Sequence, residues 1–362
     1  MMKVLFYINV LSGGGAERVI ANLSNQFSND NFEVVLVTTY VTRNEYEVVN
    51  TVKRINIEDS INLNSNRILK NYKIMRSLRH ILTDEKPDVA VSFMEEPNFR
   101  LILASIGLKI KTVVSVRNDP SKEYSGMIGK IISHVILPLA NGCVFQTKDA
   151  KEYFPKSLQN KSRIIFNAVK EEFYQVVRKP VYNKIVAVGR CSKQKNHKLL
   201  IDAFEKINSK YPVATLDIYG EGPLRQELID LTYEKKLEKK IKLKGNVKDV
   251  SRVLGKADVF VLSSNYEGMP NALMEAMAAG VPVISTDCPC GGPRMLIDNW
   301  ENGVLISVNG INELVDALNR IFLDDELKKK IGIEGKKSAS QFKPEKIYDE
   351  WKEYLCKVAL KG

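Results

Sequence analysis

Short apolar runs and longer amphipathic stretches take turns along this chain. Residues 3–10, 32–39, 87–93, 112–116 and 141–147 in the first half, and 184–188, 214–219, 241–247, 259–262 and 281–284 in the second, are brief and rich in β-branched side chains. Runs of that length read as buried strands. Between them, residues 19–27, 66–82, 98–106, 199–208, 250–256, 272–279, 311–322, 326–331 and 342–360 have the composition or spacing of helices. Strands alternating with helices through two halves predict an α/β protein with two domains. The expected layout is a first domain at 1–175, a linker over 171–181, a second domain at 182–343 and a last helical segment at 344–362.

One βαβ unit, residues 259–293, carries the most specific pattern. The apolar run at 259–262 leads through a polar loop to Pro270-Asn271, a pair suited to start a helix. Gly280 stands where a left-handed residue ends helices, and the next strand follows at once. Two carboxylates punctuate the unit, Glu267 in the loop and Glu275 in the helix. The amides of Met269, Asn271 and Ala272 come before the helix can pair them and suit a phosphate. Amides that hold a diphosphate, with a carboxylate one or two turns away for ribose hydroxyls, describe a nucleotide site. Such sites lie at the carboxyl ends of strands in open α/β sheets.

Other strand ends add to that picture. The strand at 184–188 runs into Gly189-Arg190 and then Lys195-Asn196. Further on come Gly220-Glu221-Gly222 and Gly245-Asn246-Val247. Three strand ends carrying glycine or charge mark one crevice in the second half. In the first half, Gly13, Gly14 and Gly15 form a turn before Arg18, without the G-x-G-x-x-G spacing of a dinucleotide fingerprint. After the strand at 112–116 come Arg117 and Asn118, candidates to meet a phosphate on donor or acceptor.

The run from Glu267 to Glu275, with its strand, loop, helix, glycine stop and second strand in register, resembles the E-x7-E signature of glycosyltransferase family 4. Residues 189–196 are similar to that family's G-R-x-x-x-x-K-(G/N) loop, and Gly14-Gly15 belong to a similar opening turn. The resemblance implies the GT-B fold, two Rossmann-like domains facing each other across a cleft, with the final helix crossing back to the first domain. It implies retaining transfer of a hexose or N-acetylhexosamine from a nucleotide sugar, expected to be a UDP-sugar, to a glycan acceptor. Relatives with this opening turn extend bacterial surface glycans on polyprenyl diphosphate carriers, so a lipid-linked acceptor is expected. Carried over residue by residue, Glu275 binds ribose and Glu267 the donor-sugar hydroxyls. Arg190, Lys195 and the 269–272 amides hold the diphosphate. Gly245 and Val247 read the base through the backbone, and Gly14 and Gly15 face the cleft as donor-binding residues, near the donor diphosphate and the acceptor. Many relatives have a His just past the strand at 112–116; here Arg117 or Asn118 takes its place. Two fixed cations on a departing diphosphate stabilise charge that grows in the transition state. No Asp-x-Asp motif stands at a strand end, so no metal or other cofactor is expected.

Composition narrows the remaining classes. The chain has 362 residues, 44% of them hydrophobic and 27% charged, which is ordinary for a globular protein. Five scattered cysteines make no disulfide framework and no zinc set. The longest apolar run, 128–143, is broken by Lys130, His134 and Pro138, too short for a membrane span. The first residues read as a strand rather than a signal peptide, so a cytoplasmic protein is expected. Net charge is +11, spread over both halves, compatible with an anionic membrane surface. Residues 66–82 hold five Lys/Arg, no acid and near-helical apolar positions at Ile68, Tyr72, Met75, Leu78 and Leu82. That stretch is the candidate for peripheral membrane contact; no nucleic-acid partner is expected. Three rival readings remain: a glycoside hydrolase using Glu267 and Glu275, a nicotinamide oxidoreductase, and a non-catalytic sugar-nucleotide binder.

Overall fold

The computed structural model describes residues 1–61 and 66–360. They form two compact units, Met1–Asn167 with Glu345–Gly362, and Ala168–Pro344. The first unit has seven parallel strands: β1 (Lys3–Ile8), β2 (Glu33–Thr38), β3 (Lys53–Asn56), β4 (Val89–Phe93), β5 (Lys111–Ser115), β6 (Gly142–Phe145) and β7 (Ser162–Ile164). Their spatial order is β3-β2-β1-β4-β5-β6-β7. The second unit has six: β8 (Lys184–Val188), β9 (Thr215–Tyr219), β10 (Ile241–Gly245), β11 (Val259–Leu262), β12 (Val283–Thr286) and β13 (Val304–Ile306), in the order β10-β9-β8-β11-β12-β13. Both sheets therefore run 3-2-1-4-5-6 from their first strand, the Rossmann order, with a reversal between β1 and β4 and again between β8 and β11.

Every strand expected from the apolar pattern is present. Three more, β3, β7 and β13, lie at sheet edges. β3 is half-exposed Lys-Arg-Ile-Asn, and β7 and β13 have three residues each. β3 and β7 carry no apolar run for hydropathy to announce, and β13, Val-Leu-Ile, is too short to stand out. The helix Gly15–Asn29 starts four residues before its expected position, because the glycine turn ends at Gly14 and Gly15 is already helical.

The helix Arg67–Glu85 buries Ile74, Leu78 and Leu82 in the first core, beside Leu5, Tyr7, Val35 and Ala90. Ile68 and Tyr72, expected on the same stripe as Leu78, are exposed. Of the five cations counted in that helix, the Arg67 side chain lies outside the described residues. The helix Pro344–Leu360 belongs to the first unit. Its Trp351 is fully buried and stacks on Phe93 at 5.5 Å between centroids, and its Tyr354 hydroxyl accepts from the Cys143 amide at 2.8 Å. Residues 361 and 362 of that segment lie outside the described residues.

The expected linker is fastened to the second unit. It contains the turn of helix Glu171–Tyr174, and Arg178 donates to the Gly280 and Ala257 carbonyls, each at 2.8 Å. The core of that unit gathers Phe204, Leu216, Ile218, Val261 and Leu318 between sheet and helices.

Candidate active site

Because β8 and β11 are neighbours at the reversal, the loops that leave them, 189–196 and 263–270, emerge side by side. Their backbones are stitched together. The Asn265 amide donates to the Gln194 carbonyl at 2.7 Å, and its side chain donates to Lys193 at 2.7 Å. Gln194 donates back to the Tyr266 carbonyl at 3.1 Å, and Ser263 to the Lys195 carbonyl at 3.0 Å. This lattice fixes Lys195 opposite Glu267.

The Lys195 Nζ and Glu267 Oε1 are 2.6 Å apart, with the two side chains 18% and 7% exposed. Ser264 Oγ donates to the same oxygen, also at 2.6 Å. Among the described residues no donor reaches Glu267 Oε2. The loop after β12 closes on the same place: the Glu267 amide donates to Pro289 at 2.6 Å and the Cys290 amide donates to the Glu267 carbonyl at 2.9 Å. That closure requires a bare Cα at Gly292, since a Cβ there would sit 1.7 Å from the Gly268 carbonyl oxygen. A Cβ added at Gly189 would lie 3.1 Å from the Lys195 Cδ, a milder crowding of the lysine's side chain. Burial, then the Glu267 carboxylate, push the Cys288 thiol up to about 12, so it remains protonated. Burial lowers His197 to about 4. Neutral at ordinary pH, it donates from Nε2 to the Gly189 carbonyl at 3.2 Å.

Arg190 is exposed and, among the described residues, makes no hydrogen bond or ion pair. Next in the site comes the helix Asn271–Ala278, where Leu273 and Met274 donate the first closing bonds to the Pro270 carbonyl, at 3.1 and 3.2 Å. The amides of Met269, Asn271 and Ala272 precede that ladder. Glu275 is buried on this helix, and Gly280 ends it with φ of +71°. Gly245 closes β10 with its carbonyl accepting from Gly220 at 2.8 Å, and Val247 follows, half-buried. The second unit thus holds, at the C-terminal edge of one sheet, an open cation, a lysine–glutamate pair and a helix N-terminus.

Two family models match the chain. Residues 13–173 match the model described as Glycosyltransferase Family 4, and residues 169–338 match Glycosyl transferases group 1. The chain belongs to this glycosyltransferase family. It is 29% identical over 371 residues, covering 98% of this chain and 100% of the other, to an N-acetylgalactosamine-N,N'-diacetylbacillosaminyl-diphospho-undecaprenol 4-alpha-N-acetylgalactosaminyltransferase of Campylobacter jejuni. It is 24% identical, over 98% of this chain and 100% of the other, to the amylovoran biosynthesis glycosyltransferase AmsD of Erwinia amylovora. Among solved structures, Anabaena Alr3699/HepE in complex with UDP-glucose superposes with a TM-score of 0.79 at 17% identity, covering 99% of this chain and 100% of that one. The two Rossmann-like units are those of the GT-B fold. Membership in this family sets aside the hydrolase and oxidoreductase readings.

The first unit of this glycosyltransferase places its expected residues less openly. Gly14 precedes the helix Gly15–Asn29, and its carbonyl accepts from the Tyr46 hydroxyl at 3.2 Å. The Glu17 carboxylate lies across Gly14, and burial raises its pKa. Arg117, expected on a loop open to ligands, is 8% exposed. Its guanidinium packs over the Phe93 ring at 4.7 Å, donates to Ser115 at 3.4 Å and is bonded to Asn167. Its burial follows from the aromatic and polar groups that receive it, none of them adjacent in sequence. Asn118 beside it is half-buried. Two further groups lie outside the expected set. Glu123 is pushed up to about 8, first by burial and then by Glu95 and Asp119. Ser264, the second donor to Glu267, lies three residues before it in the same loop, a spacing that offers a signal, whereas Glu123 has none.

Proposed function

We propose that this glycosyltransferase moves a sugar from a UDP-sugar to a polyprenyl-diphosphate-linked glycan acceptor during bacterial surface glycan synthesis, with retention at the anomeric carbon. The observation that carries the reading is the Lys195–Glu267 pair, with Arg190 in the same loop as Lys195 exposed and without a partner among the described residues. Glu267 Oε2 is left to take donor-sugar hydroxyls, and Lys195 stands between that carboxylate and the place where diphosphate charge grows. Arg190 supplies a second cation, and the 269–272 amides take the remaining phosphate oxygens. Glu275 binds the ribose, and Gly245 and Val247 meet the base by backbone groups.

In a retaining transfer of this kind the acceptor hydroxyl attacks on the face from which the diphosphate leaves, and a phosphate oxygen accepts its proton. No protein nucleophile is then needed. The two cations neutralise the leaving group, so the reaction proceeds without a metal. The first unit takes the acceptor, through the Gly14-Gly15 turn and Asn118, with Arg117 supporting that loop from beneath. The Campylobacter relative, whose name specifies a diphospho-undecaprenol substrate, supports the acceptor class. The UDP-glucose complex of the Anabaena protein supports the donor class. Such an acceptor places the enzyme at the cytoplasmic face of the membrane.

The test is a thermal-shift screen of UDP, GDP, ADP and NAD, with and without EDTA, on wild type and Glu275→Ala. A ligand at about 100 times its dissociation constant adds roughly 2.7 kcal/mol to the folded state. A UDP shift that survives EDTA and disappears in the variant is expected. A shift by NAD alone, or one that EDTA abolishes, sinks the proposal.

A further inference from the structure

Between β5 and β6 the chain makes the helix Gly126–Ile131, a wider π turn at Ile132–Ile136 and a tight turn at Leu137–Leu139. Ile132, Ser133 and Leu137 face the core. On the other side Met127, Ile128, Ile131, Val135 and Leu139 are 81, 75, 49, 61 and 60% exposed. Steps of four residues drift around an α-helix by about 40° each. A π turn holds more residues and so turns the drift back, keeping Ile131 and Val135 on one side. Beside Leu139 opens a groove of about 440 Å³, whose lining includes Ile102, Ile106, Leu108, Lys109 and Lys111. An apolar strip of this length, left uncovered, marks a docking surface.

Its charge selects the partner. No Asp or Glu occurs between Glu123 and Asp149, or between Glu96 and Asp119, so both segments that form this surface are free of acid. Lys122 and Lys130 are exposed along the strip, and Lys109 and Lys111 lie at its far end. The helix Arg67–Glu85, the expected membrane element, offers less. Its Leu78 and Leu82 are in the core, Lys70 sits over the Tyr40 ring at 4.8 Å, and Arg79 donates to the Ala104 and Ile106 carbonyls.

We propose that the 126–139 face, extended by the Lys109–Lys111 groove, lies in the headgroup region of an anionic bilayer. Met127, Ile128, Ile131, Val135 and Leu139 insert below the phosphates, and the four lysines stand among them. The inference rests on the reading of a lipid-linked acceptor, and it locates where the enzyme meets the lipid.

Flotation with vesicles of phosphatidylcholine, alone or with about 30 mol% phosphatidylglycerol, tests it. The full chain should bind the anionic vesicles, bind neutral ones far less, and release with salt. The variant I128E/I131E should bind roughly 10- to 100-fold more weakly, while I68E/Y72E on the helix Arg67–Glu85 should bind as wild type does. Equal binding by I128E/I131E, or loss confined to I68E/Y72E, overturns the assignment. So does a dimer that I128E/I131E dissociates without any vesicle binding by wild type, since the strip would then meet a second copy. UDP melt shifts are read on the same samples. Vesicle binding without a UDP shift leaves this face standing and removes the donor reading; a UDP shift without vesicle binding does the reverse.

Discussion

At the reversal of the first sheet, Arg100 is buried with every nitrogen spoken for: Nε donates to Asn71, Nη1 to Asn9 and Nη2 to Glu96, at 2.8–2.9 Å. At the reversal of the second sheet, Lys195 has one carboxylate partner, and Arg190 in the same loop has none among the described residues. The strand order is the same in both units. In one, the buried cation is used up by the protein's own polar groups; in the other, Arg190 stays exposed. A fold that offers two equivalent places is thus given its chemistry by the loops alone.

That contrast can be broken by substitution. The largest effect is expected for Lys195→Ala, which should lower kcat/KM by about 10² to 10³, near 3–4 kcal/mol in steady-state transfer assays. Arg100→Ala should do the opposite, costing roughly 3 kcal/mol in denaturant unfolding by emptying a buried site and leaving the half-buried Asn9, Asn71 and Glu96 unmatched. Its effect on kcat/KM of the folded fraction should stay below about tenfold. If Arg100→Ala instead abolishes transfer at unchanged stability, Arg100 itself works on the substrate and the comparison fails. Arg190→Ala, on an exposed side chain, should cost about 10² in kcat/KM with the melting temperature unmoved. A smaller loss, about 2 kcal/mol of stability, is expected for Gly292→Ala, which pushes the 290s loop off the Gly268 carbonyl.

The smallest expected effect is in pH. His197 is lowered to about 4 from 6.5. Below pH 6.5 the unfolded chain therefore takes up a proton that the folded chain refuses. The neutral ring's contribution is present above pH 6.5 and fades as pH falls towards 4. Chemical denaturation should show about 2 kcal/mol less stability at pH 5 than at pH 7 from this residue, a difference that His197→Gln removes.

Much of this is legible in the chain itself. The runs at 184–188 and 259–262 are apolar because both faces of those strands are covered, and Gly280 ends its helix as its position suggested. The adjacency of Lys195 and Glu267 follows from the parallel order, but their 2.6 Å contact does not. It depends on the side-chain lattice between the two loops. Arg117 was misplaced for a related reason: local sequence shows a charge after a strand, whereas its burial is decided by Phe93 and Asn167, each more than twenty residues away. The edge strands β3 and β7 escaped because a half-exposed strand has no apolar signature, and β13 because its apolar run is only three residues long.

The helix Pro344–Leu360 carries Trp351 into a core whose other walls come from the chain's first 167 residues. A ribosome therefore releases the whole of the second unit before the first can be finished. Residues 168–344 form an unbroken segment able to fold as they emerge, while the earlier half waits with Phe93 unstacked and the Cys143 amide lacking its tyrosine. Of the two units, the one synthesised first is the one completed last.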